Sequence, residues 1–236
     1  MEDIQHQQMG YDRAATMFAP DGHILQVEYA EKTVRLGSSS IGIIGKDFVL
    51  IISDRRQNDP LIVEESANKI LEIDDHVMVV SAGIPSDARV LIEKARIIAQ
   101  QHRVTFDSAP TVEYLVKNIC DIKQQFTQYG GARPFGVSLM FGGFDKKPAL
   151  YTTGVTGNYF QYKANAIGEN DEKIKEILRK KYKEGMNLKE AIKLAIEILK
   201  EVQKDKFDLK RIDAAFVDKE KKLKRLNFNS LQEYLK

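Results

Sequence analysis

The feature that most limits the folds open to this chain is an order: β-rich runs come in groups, a pair of helices follows, and the scheme then occurs a second time. From residue 40 the runs SIGIIG, FVLIISD, NKILEID and HVMVVSAG are separated by Lys46-Asp47, by the polar stretch 55–67 and by Asp74-Asp75. Apolar runs of this length bounded by turn formers predict two successive hairpins. Two helical segments follow, at 86–102 and 110–128. In the second, Val112, Leu115, Ile119, Ile122 and Phe126 recur at three- and four-residue steps, the spacing of one buried helix face. Cys120 lies beside that stripe and reads as a small packed residue.

Strands are predicted again at 136–144, 148–153 and 158–166, and helices at 171–183 and 188–203. Asn187 followed by Glu190 has the spacing of a capping box. A strand at 211–217, a Lys-rich turn and strand, and a short helix that Ser230 and Glu233 cap complete the pattern. Grouped strands and paired helices do not fit single βαβ crossovers. They predict an α+β fold, a four-layer αββα sandwich of two stacked antiparallel sheets with helix pairs on both outer faces.

The composition narrows function more than fold. Of 236 residues, 43% are hydrophobic and 30% charged, the profile of a globular chain that needs no disulfide or metal to hold a core. Lys+Arg 36 against Asp+Glu 34 gives a net charge of +2, too balanced for a protein whose main task is to neutralise a nucleic-acid backbone. The one basic patch, KEKKLKR at 219–225, has no aromatic platform and reads as edge-strand lysines that discourage sheet pairing. No nucleic acid and no membrane are expected as partners, since no apolar run reaches the ~18–20 residues that span a bilayer. The first ten residues, MEDIQHQQMG, lack the apolar core of a secretory signal, so the chain reads as cytoplasmic. His6, His23, His76 and His102 show no ligand spacing, and neither a metal nor a cofactor is expected.

Ahead of the first strand, Ile24 or Leu25, Val27, Ala30 and Val34 form a helical stripe over residues 24–36, introduced by the turn formers Pro20, Asp21 and Gly22. A turn centred on Lys46 and Asp47 then sets Ser38 and Ser39 opposite Arg55 and Asp54, within one register step. Lys69 opens the next strand at the same end. A hydroxyl, a carboxylate and an ammonium so gathered are the parts of a Ser/Lys nucleophilic site, in which a desolvated lysine takes the hydroxyl proton and the carboxylate orients it. A serine-rich strand start beside a solvated Asp/Lys pair has the same spacing.

Several stretches in order carry a family likeness. YDRAATMFAPDGHILQVEYA at 11–30 resembles the amino-terminal signature of α-type subunits of the 20S proteasome; DARVLIEKAR at 87–96, QYGGARPFG at 128–136 and RPFGVSLMFGG at 133–143 extend it. The resemblance runs from about residue 9 onward and is strongest to archaeal α subunits. It implies an N-terminal-nucleophile hydrolase fold in one globular unit, with residues 1–36 as a gate segment and ring-packing helix and 37–236 as the body. In the related β subunits a threonine freed by autoproteolysis attacks the peptide, its own α-amine serving as base. Ser38 resembles that threonine, Asp54 the supporting aspartate and Lys69 the lysine. Behind 37 residues Ser38 has no α-amine, so the set reads as a degenerate remnant. An active peptidase that uses Ser38 after cleavage at Gly37-Ser38, and a non-proteolytic scaffold of the same fold, are the alternatives.

The resemblance also implies partners. Seven copies would form a ring, stack on β subunits as α7β7β7α7, and admit unfolded polypeptide when an ATPase activator docks. Tyr11, Asp12, Pro20 and Tyr29 match the cluster that holds the gate open. Lys69, Gly37 and Ile84 match the pocket for activator C-terminal tails, and Tyr129, Gly130 and Gly131 the entrance constriction. Glu31 stands where archaeal relatives commonly carry arginine, and residues 55–67 depart from the usual pattern.

Overall fold

A computed structural model describes residues 10, 13–56, 59 and 61–236. Two five-stranded antiparallel sheets form the middle of the molecule. The first is built from β1 (Ser40–Ile44), β2 (Phe48–Asp54), β8 (Ala164–Ile167), β9 (Ile212–Asp218) and β10 (Leu223–Leu226), in the order β10-β9-β2-β1-β8. The second runs β3-β4-β5-β6-β7, from β3 (Ile70–Asp74), β4 (Val77–Gly83), β5 (Val137–Phe144), β6 (Pro148–Thr153) and β7 (Tyr159–Gln161). Six α-helices are described: α1 (Leu25–Leu36), α2 (Pro85–Phe106), α3 (Val112–Phe126), α4 (Asp171–Lys181), α5 (Leu188–Gln203) and α6 (Phe228–Leu235).

The layering follows from the two-residue period of the strands. Alternate side chains point to opposite faces, and here both faces are apolar. On β2, Val49 and Ile51 enter the core between the sheets, whereas Phe48, Leu50 and Ile52 enter the core under α4 and α5. On β4, Met78 and Val80 go inward while Val77 and Val79 meet α2 and α3. Strands buried on both sides require a helix layer outside each sheet, which is why the helices come in pairs. Each Ile or Leu so buried contributes ~1.5–3 kcal/mol, against a few tenths for surface pairs, so these three cores dominate stability.

The expected four-layer sandwich is the observed one. The α5 boundaries coincide with the pattern, and its capping box forms with Glu190 N donating to Asn187 Oδ1 at 3.0 Å and Asn187 N to Glu190 Oε2 at 2.9 Å. Two details differ. The single strand expected at 158–166 is two, because the chain changes sheets: Tyr162 N donates to Leu150 O at 2.9 Å in one sheet, and Ile44 N to Lys163 O at 2.9 Å in the other. The terminal helix is capped by Asn227, whose side chain accepts from Ser230 N at 2.9 Å, so Ser230 lies inside the helix rather than ahead of it. The basic stretch at 219–225 forms the turn and the edge strand β10, where Lys224 pairs with Asp218 at 2.8 Å and Glu220 at 2.7 Å.

Candidate functional site

The site lies where β1, β2 and β3 converge beside the end of α1. Register brings its parts together: Ser40 pairs with Ser53, and Asp54 N donates to Ser39 O at 3.0 Å, as the hairpin spacing predicted. Gly37 carries the chain from α1 into β1. A Cβ there would lie 2.5 Å from Gly83 N and 2.9 Å from Ala82 Cα, so only glycine lets this segment rest against β4. Its carbonyl accepts from Glu169 N at 2.7 Å.

Lys69 donates to Ser38 O at 2.7 Å, to Ser38 Oγ at 2.6 Å and to Ser40 Oγ at 3.2 Å. Three acceptors match the three N–H bonds of an ammonium. Burial opposes them and pushes Lys69 down to about 7; Asp54 and Asp213 pull upward and Arg56 adds to the fall. Asp213, which sequence reasoning missed, fixes the backbone of this lysine by accepting from Lys69 N at 2.7 Å and Ile70 N at 2.8 Å. An aspartate inside the apolar run RIDAAFV was the only signal for it.

The serine and the carboxylate each have other partners as well. Ser38 Oγ donates its proton to Asp54 O at 2.6 Å and accepts from Lys69. A base must instead accept the serine proton; in this arrangement the charged lysine donates to the serine. The Asp54 carboxylate accepts from Arg211 Nε at 3.1 Å, Arg211 Nη2 at 2.6 Å, Gln203 Nε2 at 3.0 Å and Arg56 N at 2.9 Å. Those donors fill the roughly four lone-pair sites of a carboxylate. Asp54 therefore anchors α5 and the start of β9, while Lys69 answers to the serines. Ser38 itself is 8% exposed.

Lys69, Ser38 and Gly37 line a cavity of about 410 Å³ that also meets Leu36, Gly83 and Pro85. Ile84 lies between two of these lining residues, with Ile84 N donating to Gly136 O at 2.9 Å. The same carbonyl accepts from Thr33 Oγ1 of α1 at 2.8 Å. One peptide thus joins the cavity wall, α1 and the segment leading to β5.

That segment follows the loop with Tyr129, Gly130 and Gly131. Tyr129 is 60% exposed, and Gly131 has φ +83, a conformation that favours glycine. The loop is tied back by Arg133, whose two terminal nitrogens meet Asp87 at 2.6 and 2.7 Å. This bidentate pair holds the Asp87 carboxyl below the usual carboxylate range. At the other end of α1, Ala19 O accepts from Gly22 N at 2.8 Å, which makes Pro20 a corner of a reverse turn. Tyr29 is half-buried on α1 with Lys32 Nζ 5.2 Å from its ring centroid. Tyr11 and Asp12 lie outside the described residues. Among the described residues no group of three or more His, Cys, Asp or Glu could hold a metal ion, and no helix is long and apolar enough to cross a membrane.

Comparison with known proteins gives two matching family models: one for the proteasome subunit, over residues 34–217, and one for the N-terminal signature of A-type proteasome subunits, over residues 11–32. The chain is 43% identical over 229 residues to the proteasome subunit alpha of Pyrococcus horikoshii, covering 97% of this chain and 88% of that one. It is 41% identical over 230 residues to that of Methanosarcina thermophila, covering 97% and 93%. To the Archaeoglobus fulgidus protein of the same name it is 47% identical over 189 residues, covering 80% and 77%.

Proposed function

Because this chain belongs to the proteasome subunit family, with the α-type signature ahead of the shared fold, we propose that it is a non-catalytic subunit of the outer ring of a 20S core particle. In this reading seven copies close a ring over a chamber built by β subunits. The segment before α1 gates the entry of unfolded polypeptide, and the Lys69 cavity receives the C-terminal tails of an ATPase activator.

The observation that carries the non-catalytic role is the seating of Gly37. The peptide before Ser38 rests against Gly83 with no room for a side chain, and α1 packs Val27 and Ala30 with Val155. A leader meant for removal needs no such fit. Two further features support the assembly. On α2, Val90, Ile97 and Val104 recur every seven residues and are 42%, 49% and 87% exposed, an apolar stripe suited to another subunit. The cavity at Lys69 is open and apolar on one side, as a peptide end requires.

The lowered Lys69 favours the second reading, a peptidase using Ser38. Intact mass and peptide hydrolysis of the chain expressed alone separate the two. The non-catalytic reading expects residues 1–37 to remain attached and no hydrolysis. Loss of those residues together with turnover would establish the peptidase.

A further inference from the structure

One end of the second sheet, far along the chain from the serines, is organised around a buried histidine. His76, in the turn between β3 and β4, is 3% exposed. Its Nε2 lies 2.8 Å from Pro110 O, in the loop that joins α2 to α3. A carbonyl only accepts, so Nε2 carries a hydrogen. Nδ1 is the one buried side-chain nitrogen or oxygen without a hydrogen-bond partner among the described residues. It faces Asp74 Oδ2 at 3.4 Å, and Asp145 Oδ1 of the β5–β6 turn lies 3.9 Å from Nε2. A neutral ring with its hydrogen on Nε2 therefore points a bare lone pair at a carboxylate, whereas an imidazolium offers a donor on both sides.

The charges around the ring come from every segment that meets there. Asp74 also accepts from Arg103 Nε at 3.0 Å and pairs with Arg103 Nη2 at 2.9 Å, which ties the last turn of α2 to the same carboxylate. Asp75 lies 3.6 Å from Arg103, and its carbonyl accepts from Leu223 N at 3.1 Å. Asp145 accepts from Val112 N at 3.2 Å; burial holds its carboxyl above the usual range, against the pull of that bond, of His76 and of Lys221, while Glu113 adds to the rise. Arg103 and Lys221 oppose a further positive charge at this end; Asp74, Asp75, Asp145 and Glu113 favour it. We propose that His76 is a proton-operated latch: with a proton on both ring nitrogens it ties the β3–β4 turn to the α2–α3 loop, and on losing the Nδ1 proton it loosens that loop. The latch sets how firmly the end of α2 is held, where Val104 and Phe106 are exposed. Because the latched form binds the proton more tightly, latching is favoured on the acid side of the histidine range and is lost as pH rises.

Hydrogen exchange of the full-length chain tests this, read by mass spectrometry as the protection of peptides covering residues 103–112 after correction for intrinsic rates. Between pH ~5 and ~8, where histidine changes charge, protection should fall about tenfold, the scale of one charge-assisted hydrogen bond. His76→Gln, which keeps a donor for Pro110 O but cannot titrate, should give one level of protection throughout. His102 is the control, since its Nδ1 lies 3.0 Å from Ser108 O in the same loop: His102→Gln should leave the pH dependence in place. Should His76→Gln not fold, exchange of the ring C2 hydrogen of His76 in the wild type follows its protonation directly, and the midpoint should coincide with the loss of protection. Protection that is flat with pH in the wild type, that still changes in His76→Gln, that stops changing in His102→Gln, or that changes away from the His76 midpoint would overturn the latch.

Discussion

At the scale of single residues, each member of the Ser38, Asp54 and Lys69 triplet is engaged in bonds other than those a nucleophilic site uses. Ser38 gives its proton to a backbone carbonyl, Lys69 donates instead of accepting, and Asp54 is occupied by Arg211, Gln203 and a backbone N–H. Hairpin arithmetic was enough to bring Ser38, Asp54 and Lys69 to one end of the sheets. It could not give donor direction, because that depends on Arg211 and Asp213, more than 140 positions away from their partners in sequence. A second lysine was hidden as well, because its acceptors lie on strands of the sheet it packs against, 14 and 30 residues on. Lys123 of α3 is fully buried, with Nζ 2.8 Å from Val137 O and 3.1 Å from Thr153 Oγ1. Burial pushes it down to about 8. Between about 8 and its ordinary value, the unfolded chain carries a proton that the folded chain lacks, so this lysine adds to stability as pH rises through that window. Below it both states are protonated and the full cost of the buried charge is felt. Lys123→Met should therefore remove part of the alkaline rise: urea midpoints of wild type relative to the variant should shift upward from pH 8 to pH 10. Parallel profiles would show that Lys123 titrates as an exposed lysine does.

Elements were more legible than residues wherever the pattern was local. The α5 limits follow from its apolar stripe and from Asn187 and Glu190, which are three residues apart. The strand expected at 158–166 failed because one apolar-aromatic run serves both sheets, and the place where the chain crosses is fixed by partners on β6 and on β1. Helix α1 shows the opposite case, a local stripe whose purpose lies elsewhere. It is held through Thr33 to the peptide that also supports the cavity wall, and its approach is the turn at Pro20. In the proposed assembly the segment before that turn is the gate. Deleting residues 1–12 should then raise the rate at which a peptide substrate enters and is hydrolysed by the particle assembled with β subunits, severalfold for a barrier of about 1 kcal/mol. An unchanged rate would count against gating by this segment.

On the scale of the whole molecule, three buried cores and four layers account for the order of strands and helices that the sequence displays. The near-neutral charge, +2 in 236 residues, suits the proposed ring, in which the main contacts would be with copies of this chain and similar ones. Positive charge gathers at the Lys69 cavity, where recognition of a chain end is proposed. The apolar stripe of Val90, Ile97 and Val104 on α2 remains open in the single chain and asks for a neighbour. What sequence could not reach at this scale is association, because periodicity reports which face is apolar but not which chain covers it. Electron microscopy of the purified chain decides that point. Closed rings with seven-fold symmetry and an axial opening are the expected result; a persistent monomer, or rings of another symmetry, would contradict assembly from seven copies.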